Sequence, residues 1–348
     1  MKITNKEIAR RLGISVTAVS LAIHNHKGVS EETRAKVMQL IQEHSDSKDA
    51  KQSSAPGPNR LLLLSIHKVH GKIINDKPFF TNMIESIQQM AMQNSYLLSL
   101  ANYIPGQDSE AYLEYIQSLQ PAGIIVVATE MDQEDARLYQ RLPIPIVFMD
   151  ASFDLLNEDS VVLDNQAGIF RAFDYACQMG HRDIGYLQSD TKIPNFVHRL
   201  DGFYKGLREY GLMENRHPVI QLPCDVEGAY REMKRFLTEL PDHYQMPTIF
   251  LSDLDYIAIG AVQALKECGY RIPEDISIIG YDDMPMCEVI EPPLTSIHVN
   301  TTDIGKLAAR RLLQKIKDPH DYHLTTLISS ALVRRASVLD RNAPQSQA

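Results

Sequence analysis

Cysteine is scarce in this sequence, and the few cysteines present lie far apart. The chain has 4 in 348 residues, Cys177, Cys224, Cys268 and Cys287, and none of them forms a C-x-x-C pair. This spacing excludes the common zinc-binding patterns and gives no sign of a disulfide framework. We therefore expect free thiols in a reducing compartment, the cytoplasm, and no metal site.

Long apolar runs and catalytic motifs are also missing. No stretch approaches the roughly 18 apolar residues of a membrane helix, and the opening MKITNKEIAR lacks the hydrophobic run of a signal peptide. The sequence contains no G-x-S-x-G, G-x-x-x-x-G-K-[ST] or H-E-x-x-H motif. We expect a protein without membrane attachment, without a cofactor and without enzymatic activity.

Positive charge is in deficit over the whole chain but not at its N-terminus. The net charge is -9, yet residues 1–51 hold nine Lys and Arg against six Asp and Glu, or +3, which leaves -12 for residues 52–348. The overall deficit excludes a surface that is basic throughout, as on a general nucleic-acid binder. The distribution instead indicates a small cationic unit attached to an acidic body, and the length predicts at least two domains.

The cationic segment contains three short helical patterns. The run Thr4–Glu7 is a capping box that begins a first helix, and Gly13 is suited to the position just past its end. Ser15 caps a second helix that extends to about Ile23, and a third helix begins at Ser30. Two helices joined by a tight turn predict a helix-turn-helix, and a three-helix cap that binds no DNA is the alternative.

The second helix is predicted to bury one face and to expose the other. At a spacing of 3.6 residues per turn, the packing side consists of Ala18, Val19, Ala22 and Ile23. The outward side consists of Val16, Thr17, Ser20, Leu21 and His24. Hydroxyl and small apolar side chains of this kind can read base edges and thymine methyl groups in the major groove, so this face is a candidate DNA-reading surface.

The remainder of the chain alternates short apolar runs with amphipathic helical segments. The predicted strands are Leu61 to Ile66, Leu97 to Leu100, Gly123 to Ala128, Ile146 to Met149, Ile184 to Leu187, Thr248 to Leu251 and Ile276 to Ile279. Continuous apolar strands between helices predict parallel sheets covered on both faces. So many units favour two doubly wound α/β lobes, with a ligand at the carboxyl ends of the strands.

The sequence resembles the lactose/galactose repressor (LacI/GalR) family over about residues 2 to 340. In the N-terminal unit the matching runs are Ile3-Thr4, Glu7-Ile8-Ala9, Leu12 to Ser15, Thr17 to Ser20 and Gly28 to Arg34. In the body they are Asp164 to Gly168, Gly180 to Leu187, Arg199 to Phe203, Asp255 to Ala261, Pro273 to Asp283 and Pro292 to Ile297. They follow one another in the family's order.

The resemblance implies an all-α helix-turn-helix headpiece followed by a two-lobed effector domain like that of periplasmic binding proteins of type I. The implied domains are the headpiece 1–44, a linker 45–59, the effector and dimerisation domain 60–340, and a polar tail 341–348. Within the effector domain, the N-lobe would comprise 60–163 with 293–323, and the C-lobe 164–292 with 324–340. Three crossings of the chain would join these lobes.

Two sets of site residues follow from the resemblance. On double-stranded operator DNA, it implies base contacts from Val16, Thr17 and Leu21 and phosphate contacts near Thr4, Ser15, Ser20 and Thr33. Between the lobes, it places Asp150, Asn195, Arg199 and Asp282. Carboxylates and a guanidinium suit the hydroxyl groups of a sugar, and Phe79 or Phe80 can stack on its ring. For each carboxylate alone, a helix cap or a surface ion pair is the alternative.

The linker departs from the family pattern. From Glu43 to Asn59 the sequence reads EHSDSKDAKQSSAPGPN and lacks the leucine that family members place in a hinge helix to wedge into the minor groove. Because kinking by insertion needs an apolar side chain at the base step, we expect the bound operator to be bent only slightly. Circular-permutation gel shifts measure this directly, and a large bend would contradict the expectation.

These features predict a homodimeric repressor on a roughly palindromic operator, with a sugar bound between the lobes. The alternatives within the fold are a regulator corepressed by a purine or nucleoside and a global regulator that reads a partner protein. A sugar-binding module with weakened operator binding is the alternative outside that class. Leu254 bears on the ligand, because many sugar-responsive members have Asn at the matching position.

Overall fold

The chain divides into two compact units, Met1–Asn59 and Arg60–Ala348. The computed structural model describes residues 5–23, 29–30, 33–34, 36–38, 61–74, 78–215, 217–241, 243–319 and 322–343. The division falls where the sequence places the end of the linker. The linker itself lies outside the described residues, as do two of the predicted DNA-binding residues, Thr4 and His24.

The first unit contains the predicted helix pair, α1 (Asn5–Leu12) and α2 (Val16–Ile23), and helical residues at 33–34 and 36–38. Gly13 ends α1 with a φ of +65°, the left-handed conformation that glycine adopts without a steric penalty. Ser15 caps α2 as predicted, because its Oγ accepts from the N–H of Ala18 at 3.1 Å. The small core of the unit is made of Ile8, Ala9, Val19, Ala22 and Val37.

The second unit alternates strands with helices. Its strands are β1 (Leu61–His67), β2 (Leu97–Tyr103), β3 (Gly123–Val127), β4 (Ile146–Met149), β5 (Asp159–Leu163), β6 (Ile184–Ser189), β7 (Val219–Leu222), β8 (Ile249–Ser252), β9 (Ser277–Asp282), β10 (Thr295–His298), β11 (Thr325–Ile328) and β12 (Ala331–Val333). Its helices are α3 (Pro78–Gln93), α4 (Ser109–Ser118), α5 (Gln133–Tyr139), α6 (Asn165–Gln178), α7 (Pro194–Glu209), α8 (Val226–Thr238), α9 (Asp255–Glu267), α10 (Met286–Val289) and α11 (Thr301–Lys317).

The strands form two six-stranded sheets, one in each lobe. Their orders are β11-β5-β4-β3-β1-β2 and β12-β10-β9-β8-β6-β7. All neighbouring pairs are parallel except β10 with β12, which confirms the predicted doubly wound lobes. Central strands such as β3 are buried along their whole length, which is why they read as continuous apolar runs.

The chain crosses between the lobes three times, as expected, but two predicted crossing points are wrong. Strand β10 pairs with β9 of the second sheet, so residues 293–298 belong to the C-lobe and not to the N-lobe. Strand β11 pairs with β5 of the first sheet, so residues 324–328 belong to the N-lobe. The two crossings come after β10 and after β11, whereas the prediction placed them before these strands. Backbone pairing decides the sheet to which a strand belongs, and the family-like sequence segments do not reveal that pairing.

The start of the predicted polar tail packs on the C-lobe. The N–H of Arg341 donates to the carbonyl of Met179 at 2.8 Å, and the Asn342 amide donates to the carbonyl of Gln178 at 2.7 Å. Residues 344–348 lie outside the described part of the chain. Among the helices described, none is both long enough and apolar enough to cross a membrane.

Candidate nucleic-acid interface and ligand cavity

The buried and exposed residues of α2 agree with its predicted packing and outward sides. Val19 is fully buried, whereas 44% of Val16 is exposed and Thr17 is exposed as well. Ser20 and Leu21 are half-buried, at the margin of the outward face. The exposed edge of α2 therefore presents a methyl-bearing and a hydroxyl-bearing side chain side by side, a combination that suits base edges in a major groove.

Two of the residues predicted near phosphates, Ser15 and Thr33, lie at helix starts, whereas Ser20 lies in the middle of α2. Ser15 is the cap of α2, and Thr33 lies one turn after Ser30, with their hydroxyl oxygens 2.8 Å apart. Ser30 Oγ also accepts from the N–H of Thr33 at 3.2 Å. Helix N-termini favour anions through their exposed N–H groups and dipole, so both positions are compatible with phosphate contacts.

The structure brings all six predicted ligand residues into one cavity between the lobes. The cavity has a volume of about 410 Å³, open solvent at its mouth included. The predicted residues in its wall are Phe79, Phe80, Asp150, Asn195, Arg199 and Asp282. The wall also includes Leu254, which the sequence indicated as bearing on the ligand, and residues that the sequence did not single out: Ile73, Thr129, Ile193, Phe196, Tyr256 and Met284. Asp150 directly follows β4 and Asp282 ends β9, so the carboxyl ends of strands supply the acidic groups, as expected.

Arg199 on α7 connects the cavity to the C-lobe interior. Its Nε donates to Oδ1 of Asn165 at 2.8 Å, its Nη1 donates to the carbonyl of Asp253, and its Nη2 lies 3.5 Å from Oδ1 of Asp282. The guanidinium carbon lies 3.7 Å from the ring centre of Tyr281. Burial alone would lower the pKa of Arg199, but the adjacent carboxylates raise it above its ordinary value. The guanidinium is thus a fixed, buried cation in the wall.

Asp150 faces Arg199 from the N-lobe. Its backbone has a φ of +73°, its side chain is buried, and its Oδ2 accepts from the hydroxyl of Thr129 at 2.6 Å. Oδ1 has no hydrogen-bond partner among the described residues. Burial raises the pKa of this carboxyl, and Thr129, Arg199 and Asn195 oppose the rise. A buried acceptor whose hydrogen bonding is incomplete is costly, so an additional donor within reach of this carboxylate would be favourable.

Asp253 lies behind the cavity wall. Its carboxylate accepts from the Tyr186 hydroxyl at 2.5 Å and from the N–H of Ser189 at 2.7 Å. Burial raises the pKa of Asp253 to about 6, although these donors and Arg199 favour the charged form. The backbone carbonyl of Asp253 accepts from Arg199. By holding this residue in place, the Asp253 carboxylate therefore also helps to position the guanidinium.

Asp255 holds the loop that carries Asp282 and Met284. Its carboxylate accepts from the Ser296 hydroxyl at 2.6 Å and from the N–H of Met284 at 2.7 Å. A Cβ on Gly280 would lie 2.1 Å from Asp255 Oδ1, so only glycine permits this approach. Burial, together with the charge of Asp282, raises the pKa of Asp255 to about 7.

This raised pKa predicts a pH dependence of stability. Between the ordinary carboxyl pKa of 3.8 and about 7, the folded chain holds a proton that the unfolded chain has released. The free energy of unfolding should therefore fall as pH rises through this window, by about 2 to 4 kcal/mol for this group. Urea unfolding at pH 5 and pH 8 should show a larger loss in the parent protein than in Asp255→Asn. Asp201→Asn, on the exposed side of α7, is the control and should keep the parent's pH dependence. Equal losses in the parent and Asp255→Asn would contradict the prediction.

Two family models match the chain. Residues 4–45 match the bacterial regulatory proteins of the lacI family, and residues 173–338 match a periplasmic binding protein-like domain. The ribose operon repressor of Haemophilus influenzae is 30% identical over 340 residues, which are 96% of this chain and 98% of that protein. The HTH-type transcriptional repressor PurR of Pasteurella multocida is 30% identical over 342 residues, 97% of this chain and 99% of that protein.

Solved structures share the fold. A complex of the transcriptional regulator CelR with cellobiose aligns with a TM-score of 0.71 at 22% identity, over 96% of this chain and 99% of that one. The lac repressor dimer bound to operator and an anti-inducer aligns with a TM-score of 0.69 at 22% identity, over 97% and 100% of the two chains. The family match in the helix-turn-helix unit and the nearly full-length relatives agree with the observed architecture, and this chain therefore belongs to the LacI family of bacterial regulatory proteins.

Proposed function

We propose that this family member is a repressor whose operator affinity is controlled by a neutral sugar of about pentose size, bound in the cavity between the lobes. The observation that carries the sugar assignment is Asp150, a buried carboxylate of the cavity wall whose Oδ1 has no hydrogen-bond partner of normal geometry among the described residues, although the Asn195 side chain favours its charged form. A sugar hydroxyl supplies a donor. Like the other members of a family of transcriptional regulators, the protein would act on DNA in the cytoplasm and not as an enzyme.

The charges of the wall support a neutral ligand. Asp150 and Asp282 contribute two carboxylates, and Arg199 is the cation that faces them. An anionic ligand such as a sugar phosphate would meet a net negative wall, whereas hydroxyl groups can donate to the carboxylates and accept from the guanidinium. The apolar part of the wall, which includes Phe79 and Phe80, suits the CH face of a sugar ring.

The relatives point in the same direction. One of the nearly full-length relatives is named a ribose operon repressor. A LacI-family regulator of Enterococcus faecium, which shares the fold with a TM-score of 0.66 at 23% identity over 80% of this chain and 99% of its own, was solved with bound ribose. D-ribose is accordingly the first ligand to test.

A purine is the second candidate, and the aromatic wall is the observation that favours it. Phe79, Phe80 and Phe196 all face the cavity, and their rings can stack on a flat base as well as on a sugar. Leu254 contributes an apolar side chain where a sugar site more often has a polar one. A purine would leave the Asp150 oxygen paired through a ring N–H or an amino group.

Isothermal titration calorimetry and thermal melting separate these candidates. D-ribose should bind with one site per chain and raise the melting temperature by mass action, and ribose 5-phosphate should bind more weakly because of the acidic wall. Binding of adenine or hypoxanthine with no response to D-ribose would replace the sugar assignment with the purine one. In a homodimer, ligand binding would change the spacing of the two headpieces and so the affinity for a palindromic operator.

A further inference from the structure

Glu130, in the turn after β3, is surrounded by the backbone of a distant loop. The loop follows β1 and comprises residues 68–74. Glu130 Oε2 accepts from the N–H groups of Val69, His70 and Gly71 at 3.0, 3.0 and 2.7 Å. Its Oε1 accepts from those of Ile73 and Ile74 at 2.9 and 3.2 Å. One carboxylate therefore satisfies five of six consecutive amides, and Nδ1 of His70 accepts from the sixth, Lys72, at 3.2 Å.

The local backbone is shaped for this arrangement. Gly71 has a φ of +67°, which turns the chain so that the N–H groups on both sides converge. The side chain of Glu130 is fully buried, and although burial opposes ionisation, the backbone N–H donors of Ile73, His70 and Gly71 hold the pKa of this carboxyl below its ordinary value. A charged carboxylate with five donors uses nearly all of its accepting capacity on the loop.

The loop places Ile73 across the cleft. Ile73 is buried in a hydrophobic cluster whose other buried members, as far as the structure describes them, lie between Leu187 and Leu294 in the C-lobe. The next residue, Ile74, packs in the cluster that includes the core of the N-lobe. Ile73 also forms part of the cavity wall, beside Phe196 and Leu254. An N-lobe side chain thus contributes both to C-lobe packing and to the wall of the ligand cavity.

We propose that Glu130 is a positioning residue whose hydrogen bonds, here called the clip, hold the 68–74 loop in place. The loop then holds Ile73 in its apolar packing against the C-lobe, here called the latch, which joins the two lobes beside the ligand cavity. The clip and the latch are separate contacts of the same loop. Glu130 fixes the path of the backbone, and Ile73 contributes apolar burial that is lost when the lobes separate. The latch contributes to the closed arrangement of the lobes and so lowers the cost of closing them on a ligand.

Hydrogen exchange on the full-length, ligand-free protein tests this inference independently of the proposed sugar. Glu130→Gln replaces one accepting oxygen with a donor, so the amides of residues 69–74 should exchange at least about tenfold faster. In Ile73→Ser, the amides of 69–71 should keep their protection while those of residues 193–199 and Met284 exchange faster, because only the latch is lost. Glu134→Gln, an exposed glutamate four residues on, is the matched control and should change neither region.

A second measurement, D-ribose affinity, rests on the proposed function. Both Glu130→Gln and Ile73→Ser should weaken D-ribose binding at least about tenfold, with the exchange of the β4 amides unchanged. Unchanged exchange at 69–74 in Glu130→Gln would overturn the clip, and parent-like exchange at 193–199 in Ile73→Ser would overturn the latch. If the parent protein binds no D-ribose, the sugar assignment fails, and the exchange pattern still decides the clip and the latch. If Glu130→Gln does not fold, Ile73→Ser decides the latch.

Discussion

Replacing Arg199 with methionine should cost about 3 to 5 kcal/mol of unfolding free energy and abolish ligand binding, because it leaves a buried carboxylate without its cation. Methionine matches the length of the arginine stem but supplies no donor. The Oδ1 of Asn165 and the carbonyl of Asp253 would lose their donor, and Asp282 would lose the guanidinium that lies 3.5 Å from its Oδ1. Urea unfolding measures the stability, and calorimetry with D-ribose on the folded variant measures the binding.

The matched control is an arginine in an exposed ion pair. Arg141 makes a bidentate contact with Glu110, and their side chains are 54% and 63% exposed. Arg141→Met should therefore lower the unfolding free energy far less than Arg199→Met does and leave ligand binding intact. Arg199→Lys keeps the charge without the planar fork and should fall between the parent and the methionine variant. A loss at Arg199 no larger than that at Arg141 would contradict the role of the guanidinium as the fixed cation of the cavity.

Val16→Glu should reduce operator affinity at least about 100-fold while the headpiece stays folded. The side chain is 44% exposed, so a glutamate fits on α2 without disturbing the packing of Val19. In a DNA groove, however, the carboxylate would lose the apolar contact with a base and face the phosphates, which together cost on the order of 3 kcal/mol. Fluorescence anisotropy with a labelled duplex measures the affinity.

Met38→Glu is the control for this change. Met38 is 51% exposed on the same compact unit but lies outside the predicted DNA-reading surface. It adds the same charge, so it should lower the affinity by roughly fivefold or less, through general repulsion that added salt screens. Equal effects of the two substitutions would contradict the assignment of α2 as the helix that enters the groove.

The sequence predicted strands that read as uninterrupted apolar runs and missed others, including β5, which is buried throughout but begins with the polar Asp159 and Ser160. β3 and β4 are buried along their length and read as apolar runs. β11 and β12 are short strands at the edges of their sheets, and their residues are exposed or half-buried. Nothing in such short segments distinguishes a strand from a loop, because their structure depends on partners far away in the chain. The two wrong crossing points have the same origin, since β10 and β11 join their sheets through long-range pairing.

The sequence predicted the residues of the ligand cavity that follow strands or match a family position. It did not predict residues such as Glu130, which affect the cavity only by holding another segment in place. Asp150 and Asp282 come at the ends of apolar runs, so their place at the sheet edge could be read from the sequence. Glu130 also follows a buried strand, β3, so its position at the same edge of the sheet could have been predicted. Its partners lie 56 to 61 residues earlier, and only the folded chain brings them together. Ile73 resembles any other apolar residue until its cluster is known.

Operator binding with and without the cavity ligand tests the central claim most directly. The operator can be selected from a random duplex library with the purified protein, and its affinity then measured by anisotropy while D-ribose is added. The account predicts sequence-preferring binding that weakens steeply with salt, and an operator affinity that the ligand changes by about fivefold or more. Absence of sequence-preferring binding at low salt, or a ligand that occupies the cavity and leaves operator affinity unchanged, would contradict it.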